Sequence, residues 1–417
     1  MSISVSDPVR QAIAALSADE KIQKALAFLK QDAANTLEEL KELVQVASPT
    51  FAEQKARAPL YKAKLEKYGA EDCSEDEIGN VRGFVNGSAP RPKVMFDAHL
   101  DTVFGPDVPL TITEKDGVFN CPGMSDDTAG LAMNLSILRA IRHAGLVPCG
   151  RLMITGTVRH EGEGDLQGVR KVFEDDRDID ACVCLETLDK PGAIINTAIG
   201  VYRYEMVFTG KGGHSWLEFG MPNPIQALCR AGAALSELAP PTEPKTTFNL
   251  GTVTGGTTVN SIPAECRAKI DIRSVDPKVL DRIDAQIKEI VHAAVAAENA
   301  RWNGQPITVE FRRIGNRPAG HAGEEETLIQ ALWQATEAVG LKPFFWPPLG
   351  TNANIPMSLG VPATGLGGGG LGGNLHSTAE WYSHEHAAEH AGRLLLALFA
   401  MAGLEGVTKP LSTLMDR

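Results

Sequence analysis

The sequence predicts an α/β protein in which a mostly parallel sheet forms the larger domain and a smaller α+β domain is inserted into it. Two observations carry this prediction. Short apolar segments at 94–97, 151–158 and 181–185 are combined with a strong helical pattern at 129–143, which is typical of parallel sheets. Alternating strand patterns combined with two long helical segments indicate a separate α+β unit at 199–312.

The remaining elements follow from the spacing of apolar residues. Leucines at helical spacing predict a helix over 20–47. In the insert, strands are predicted at 198–209 and 246–274, and helices at 224–238 and 276–302. After a segment at 306–313 the main sheet resumes, with helices at 324–339 and 384–404. We therefore assign 1–198 and 313–417 to one discontinuous domain and 199–312 to the insert.

Composition excludes several classes of partner. The 417 residues include 40 Lys and Arg against 52 Asp and Glu, for a formal charge of −12 without any basic block. Nucleic acids and anionic membrane surfaces are therefore poor partners. No apolar run approaches the roughly 18 residues of a membrane span, and the first 24 residues are too charged for a secretory signal. Seven cysteines, an odd number, indicate reduced thiols and a cytoplasmic protein.

Polar side chains follow the predicted strands where the strands end. These side chains are His99, Asp126, Glu161, Glu186 and His376. Ligands of α/β sheets lie at the carboxyl ends of strands, and imidazoles with carboxylates are the donors of hydrolytic metal sites. One shared carboxylate would hold two ions roughly 3.5–4 Å apart. The sequence thus predicts one or two divalent ions, with manganese favoured over zinc because no thiolate takes part.

Several motifs, in one order along the chain, resemble those of the co-catalytic metallopeptidase family. That family includes tripeptidase T, glutamate carboxypeptidase, aminoacylase and succinyl-diaminopimelate desuccinylase. The motifs are AHLDTV at 98–103, GMSDDTAG at 123–130, GGHS at 212–215, NSIP at 260–263, DIR at 271–273 and GNLHS at 373–377. They span nearly the whole chain, and the resemblance implies a catalytic domain with an inserted lid and dimerisation domain.

The resemblance also implies roles for single residues. His99 and Glu186 would bind one metal and Glu161 and His376 the other, with Asp126 bridging them. Asp101 would orient the His99 ring by accepting its second N–H.

The insert carries a second set of implied residues. His214 resembles the family histidine that reaches an active site across a homodimer and polarises the substrate oxygen. Asn260 and Arg273 match family positions that contact a carboxylate or backbone group of the substrate. Together with Arg317, which follows the insert, they indicate a small substrate that carries a carboxylate. The dimer would form through an exposed edge strand of the insert.

Two positions depart from the family pattern. His160 stands where the family has the glutamate that acts as general base, so either His160 or the nearby Glu163 is the predicted base. Asn352, a predicted substrate-binding residue, stands where tripeptidase-like members have an aspartate, and the loss of that charge would suit an acidic substrate. Outside these motifs, His384, His386 and His390 near the last helix are expected on a solvated face.

The functional prediction is based on the two departures at His160 and Asn352. The altered site resembles the 5-nitroanthranilate aminohydrolase branch, in which water activated by the metal displaces an aromatic amine and releases ammonia and a salicylate. Such chemistry has less need of a shuttling glutamate, and an imidazole could relay the proton. The alternatives are a di- or tripeptidase or aminoacylase acting on short peptides or N-acyl amino acids, and an inactive metal-binding homologue.

Overall fold

The computed structural model describes residues 3–55 and 57–415. Its helices are α1 Asp7–Ala18, α2 Glu20–Gln31, α3 Ala33–Val44, α4 Arg57–Lys67, α5 Gly130–Ala144, α6 Gln167–Asp175, α7 Pro224–Ser236, α8 Pro277–Arg301, α9 Thr327–Ala338, α10 Asn354–Ser358 and α11 Ala387–Ala402. Its strands are β1 Glu71–Glu75, β2 Val81–Asn86, β3 Lys93–His99, β4 Thr113–Lys115, β5 Val118–Asn120, β6 Arg151–Thr157, β7 Ile179–Glu186, β8 Ala193–Ile195, β9 Thr197–Ala198, β10 Gly200–Thr209, β11 Gly213–His214, β12 Thr246–Gly255, β13 Ser261–Ile262, β14 Glu265–Ser274, β15 Thr308–Arg317, β16 Gly320–His321, β17 Phe344–Phe345, β18 Ala363–Gly367, β19 Leu371–Gly373 and β20 Trp381–Ser383.

The first unit comprises the chain up to Ala198 and from His321 onwards. Its main sheet has the strand order β1-β2-β6-β3-β7-β18-β8-β17. The four central strands, β6, β3, β7 and β18, run parallel to one another. On one side β2 is antiparallel to β6, and on the other β8 is antiparallel to β18. The predicted α/β class is confirmed, with a parallel centre and antiparallel strands towards the edges.

The centre of this sheet is buried on both faces. Every residue of β3 and β7 is buried, as expected for parallel strands that are covered by helices. The main apolar core joins these strands to α5, α9 and α11. The predicted helix over 20–47 is two helices, α2 and α3, that meet at Asp32. The Asp32 carboxylate accepts hydrogen bonds from Asn35 and Arg139, so a polar side chain anchors this break.

The second unit spans Ile199–Gly320. Its four strands pair in the antiparallel order β12-β14-β10-β15, and α7 and α8 share an apolar core with the sheet. The predicted end of this insert, at residue 312, is wrong. Because β15 pairs with β10 from Thr308 to Arg317, the strand belongs to the insert throughout, and the insert ends at Gly320.

Two features of the chain bear on its cellular compartment: its helices and its cysteines. Among the described residues no helix has both the length and the apolar composition that a membrane crossing requires. All seven cysteines are free thiols. The predicted cytoplasmic location stays a prediction.

Candidate metal centre

Three neighbouring strands of the main sheet deliver polar side chains to one edge. His99 is the last residue of β3 and Glu186 the last of β7, while Glu161 follows the end of β6 by four residues. Asp126 lies in an irregular turn, Met124–Ala129, that leads into α5. The site therefore forms at the carboxyl ends of parallel strands, where the topology of α/β sheets leaves a crevice.

All five predicted ligands come together at this edge. Asp126 stands between two imidazoles: its Oδ1 lies 3.1 Å from Nε2 of His99 and its Oδ2 lies 3.3 Å from Nε2 of His376. Glu161 Oε1 lies 2.9 Å from the same His376 nitrogen. One donor atom each from His99, Asp126 and Glu186, and one each from Asp126, Glu161 and His376, lie within 4.8 Å of one another. These two triads share Asp126, as the bridging prediction requires.

The chemistry of these donors fits hard divalent cations. Glu186 is buried, and among the described residues its Oε1 has no hydrogen-bond partner, so the site includes an unsatisfied acceptor. Burial, reinforced by the charge of Asp126, raises the pKa of Glu186. Hydrogen bonds to Asp126 and Glu161 raise the pKa of His376 to about 10. The site thus holds protons where a bound cation would replace them.

Asp101 orders the site differently from the prediction. Its carboxylate Oδ1 is 3.6 Å from Nδ1 of His99, too long for a hydrogen bond. The backbone carbonyl of Asp101 lies 2.9 Å from that nitrogen instead and fixes the ring. The carboxylate accepts from the backbone N–H groups of His160 and Glu161, at 3.0 and 2.9 Å, and from Thr50. Burial opposes its ionisation, but the contacts to His99 and His160 lower the pKa of Asp101 to about 2.

His160 is held by a chain of buried hydrogen bonds. Its Nδ1 lies 2.9 Å from Oδ1 of Asn352, and Asn352 Nδ2 donates to Asp97 Oδ2 at 2.6 Å and to Thr157 Oγ1 at 2.8 Å. The carboxylate of Asp97 is an acceptor, which fixes the Asn352 amide with its oxygen towards His160. His160 therefore carries a proton on Nδ1, and the neutral ring has its lone pair on Nε2.

The ring of His160 also stacks on His99. The ring centroids are 4.1 Å apart and the planes differ by 11°. Donor atoms of His99, His160 and Glu161 lie close enough for one ion. An imidazole lone pair lies in the plane of its ring, however, so two stacked rings cannot both direct a lone pair at the same ion. This favours a proton-accepting role for His160 over a place beside His99 in one coordination sphere.

A sequence profile of peptidase family M20/M25/M40 matches residues 95–400, which include all five predicted metal ligands. The chain belongs to this family. Among solved structures, a tripeptidase from Staphylococcus aureus superposes with a TM-score of 0.73 at 23% identity, covering 88% of this chain and 97% of the tripeptidase. At that identity the likeness shows a common fold.

Two sequence relatives match this chain over very different lengths. The protein YgeY of Escherichia coli is 31% identical over 128 residues, which is 29% of this chain and 31% of YgeY. The matched stretch thus spans about a third of that relative. YqjE of Bacillus subtilis is 24% identical over 344 residues, covering 79% of this chain and 89% of its own.

The structure changes the interpretation of two further M20 positions. Asn352, predicted to bind substrate, is buried, and both ends of its amide are engaged inside the protein. It positions His160 instead. Glu163, the other candidate base, is exposed on a short turn at Gly162–Gly164 and belongs to none of the three donor groups among the described residues.

The remaining predicted residues lie in the second unit. His214 is exposed on β11, and its Nδ1 accepts from the backbone N–H groups of Trp216 and Leu217. The neutral ring therefore carries its proton on Nε2, which suits a donor to a substrate oxygen. The carbonyl of Asn260 accepts from Ser215, so these two predicted residues are neighbours.

The two predicted arginines flank one strand of the same unit. Arg273 on β14 and Arg317 on β15 both pair with Val201 of β10. Arg273 is bound to Asp271 through Nε at 2.7 Å and is half exposed, whereas Arg317 is buried. The substrate-binding roles of His214, Asn260, Arg273 and Arg317 stay predictions.

Three buried acids support the site and were missed in the sequence analysis. Glu380 accepts from the backbone N–H groups of Gly123, Ser125 and Asp126 and so shapes the turn that carries the bridging carboxylate. Asp127 accepts from the backbone N–H of His99 at 3.1 Å. Asp97 anchors Asn352. Asp97 gave a signal in the sequence as an acid inside a buried apolar strand, and Asp127 as a member of the motif at 123–130, whereas Glu380 gave none.

Proposed function

We propose that this M20 hydrolase breaks a C–N bond of a small carboxylate-bearing substrate, and that it deaminates an aminobenzoate of the 5-nitroanthranilate type. The observation that supports this is the buried His160–Asn352–Asp97 chain, at the position where the family pattern has a carboxylate base. In this proposal the metal ligands support the activation of water, and the His160 ring, stacked on His99, relays protons through a ring nitrogen.

The residues present fit two ions, which we propose to be manganese. His99 and Glu186 would hold one ion, Glu161 and His376 the other, and Asp126 would bridge them, as the two donor triads allow. A divalent cation bound there would lower the pKa of a coordinated water and polarise a substrate oxygen. Carboxylate and imidazole donors without thiolate suit manganese, with zinc as the alternative.

His160 acts as the base in this proposal. Nδ1 is committed to Asn352, so the ring takes the proton of the attacking water on Nε2. The oxygen of that water bonds to the ring carbon that carries the amine, and the nitro group takes up the electron pair. The C–N bond then breaks, and His160 returns the proton to the departing nitrogen. Water and the arylamine are thereby converted to a hydroxyaryl product and ammonia.

This route suits His160 better than peptide cleavage does. A peptidase base must hold a proton beside two dications and deliver it to a poor leaving group. A carboxylate is neutral when it does so, whereas an imidazole becomes a cation next to the metals. An electron-poor ring stabilises the intermediate that forms when the oxygen adds to it. His160 therefore has more time to deliver its proton to the departing nitrogen than a peptidase base has.

A peptidase or aminoacylase is the second candidate. The family assignment and the fold shared with a tripeptidase favour it. The experiment compares the manganese-loaded protein on 5-nitroanthranilate, on di- and tripeptides, and on N-acyl amino acids. Ammonia and a nitrosalicylate support our proposal, whereas peptide turnover without ammonia from the aminobenzoate contradicts it.

Variants extend this comparison. In the double variant His160→Glu, Asn352→Asp the family pattern returns, and we expect ammonia release to fall while peptide hydrolysis appears or rises. His292→Gln in the second unit serves as the histidine control. If His99→Ala and His376→Ala change neither metal content nor any activity, the chain is an inactive homologue and both proposals fail.

A further inference from the structure

The last helix buries a basic cluster away from the metal centre. Arg393 and His390, one turn apart on α11, both have no exposed surface. The prediction that His390 lies on a solvated face is therefore wrong: it lies on the inner face of a helix that is buried along most of its length. The cluster includes the space beside Gly367, the last residue of β18.

The guanidinium of Arg393 has too few partners for its charge. Nη1 donates to the carbonyl of Ala193 at 3.1 Å, while Nε and Nη2 have no partner among the described residues. Burial lowers the pKa of Arg393 to about 9, so the group remains a cation at neutral pH. No carboxylate of the described chain contributes to that pKa.

His390 cannot supply the missing negative charge. Among the described residues neither ring nitrogen makes a hydrogen bond of good geometry, although the backbone of Gly370 lies near the ring. Burial lowers the pKa of His390 and the charge of Arg393 lowers it further, so the ring is neutral and offers one N–H. A buried cation without a counter-charge is strongly unfavourable, and leaving its donors unmade adds to that cost.

The backbone at Gly367 leaves room in front of these donors. A carbon atom placed at the missing side chain of Gly367 would lie 3.4 Å from Nη2 of Arg393, 3.5 Å from Cε1 of His390 and 3.6 Å from Cβ of Leu188. These are ordinary contact distances, so a methyl group bonded to the Gly367 Cα would fit there. A chloride ion has a similar volume but is not bonded, so it would lie farther from the Cα than this carbon does and within hydrogen-bond distance of Nη2.

We propose that Arg393 and His390 form a buried binding site for a small monovalent anion, chloride, beside Gly367. The anion would accept from Nε or Nη2 of Arg393 and from the N–H of His390. A water molecule would fill the same space but would leave the guanidinium charge without a counter-charge. The proposal is independent of the reaction that the metal centre catalyses.

Such a site would brace the segment behind a predicted metal ligand. Gly367 pairs with Glu186 across the β18–β7 ladder, and the N–H of Gly368 donates to the carbonyl of Glu186 at 2.9 Å. We therefore expect the anion to stabilise the folded protein, with its effect read as a shift in the melting temperature.

The test replaces gluconate by chloride at constant ionic strength and follows thermal unfolding of the metal-loaded protein. Gluconate is far larger than the space beside Gly367. We expect chloride to raise Tm by about 2 °C or more, as binding to the native state alone requires. Gly367→Ala fills the space at ordinary contact distances and should fold, yet lose the chloride response; Arg393→Met should lose it as well. Gly232→Ala on α7, where only Leu250 lies near, is the control and should keep it.

Crystals grown in bromide provide the second measurement. An anomalous peak within hydrogen-bond distance of Arg393, absent from Gly367→Ala crystals, supports the site. A melting temperature that does not respond to chloride, or that responds equally in wild type and Gly367→Ala, overturns the proposal. So does a bromide crystal with no anomalous peak beside Arg393.

Discussion

Two regions of the first unit bury charge, and they differ in sign. The metal centre gathers buried carboxylates around three imidazoles, and two carboxylate oxygens, Oε1 of Glu186 and Oδ1 of Asp127, have no hydrogen-bond partner in the described chain. The cluster under α11 gathers a guanidinium and an imidazole, with no carboxylate of the described residues beside them. The charge left unbalanced in each region indicates the sign of its ligand: cations for the first and an anion for the second.

The two regions also differ in how many of their buried polar groups are held by hydrogen bonds. In the metal centre nearly every acid is held by a backbone N–H or a second side chain, as Asp101 and Asp127 show. Of the three guanidinium nitrogens of Arg393, one donates to a partner within residues 3–55 and 57–415, the carbonyl of Ala193. We therefore expect removal of metal ligands to abolish function and changes at α11 to alter stability.

The largest effect is expected from loss of the bridging carboxylate. Asp126→Ala removes the group that contacts both His99 and His376, so both ion positions lose a ligand. Because bound metal supplies several kcal/mol of transition-state stabilisation, we expect kcat to fall on the order of 10³-fold. Steady-state kinetics and metal analysis measure the two losses together. The control is Glu114→Gln, at an exposed position on β4. Full metal content and full activity in Asp126→Ala would show that Asp126 is not a metal ligand.

The second effect is a pH dependence of metal affinity. Asp126 and Glu161 raise the pKa of His376 to about 10 in the metal-free protein, so this ring is protonated at neutral pH. Metal binding must expel that proton, and the pKa values of His99 and Glu186 are raised as well, so the apparent affinity should rise by at least about tenfold per pH unit between pH 6 and 8. Calorimetry in buffers of different ionisation enthalpy counts the protons released. In His376→Ala one proton fewer should be released, and an affinity that does not change with pH would contradict the arrangement.

Much of this could be predicted from the sequence, because local patterns carry it. Polar residues directly after apolar strands located His99, Glu161 and Glu186, and the order of motifs identified the family. Glu380 could not be predicted, since its role depends on a contact with Gly123 and Ser125 some 255 residues earlier in the chain. The end of the insert was misplaced because strand pairing, and not composition, decides where β15 belongs.

The functions of Asp101 and Asn352 were harder to predict for a different reason. Residue type and spacing place both near the site, but not which of their atoms contacts which neighbour. The Asp101 carbonyl, and not its carboxylate, fixes His99, and the Asn352 amide turns towards His160 because Asp97 lies on its other side. Such choices depend on ångström-scale geometry.

A moderate effect should follow from breaking the chain that holds His160. Asn352→Ala removes the hydrogen bond to Nδ1 of His160 and one of the donors to the buried Asp97 carboxylate, which keeps its bonds from Thr155 and Thr157. Every predicted metal ligand stays in place. Outer partners of this kind typically contribute 10–100-fold, and we expect a loss of about that size in kcat with unchanged metal content. Asn249→Ala, exposed on β12, controls for the substitution. A kcat equal to that of the wild type would mean that His160 needs no positioning.

The smallest expected effect is a change in melting temperature when the buried charge of Arg393 on α11 is removed. Arg393→Met keeps a long side chain but removes the unbalanced cation, and such replacements of buried charge by apolar groups are often neutral or stabilising. In gluconate, where no fitting anion is present, we expect Arg393→Met to melt about 1–3 °C above the wild type. In chloride the difference should shrink or reverse, because the wild type then has its counter-ion. Parallel melting curves in the two salts measure this crossover, and a variant that is equally destabilised in both would show that Arg393 is balanced from within the chain.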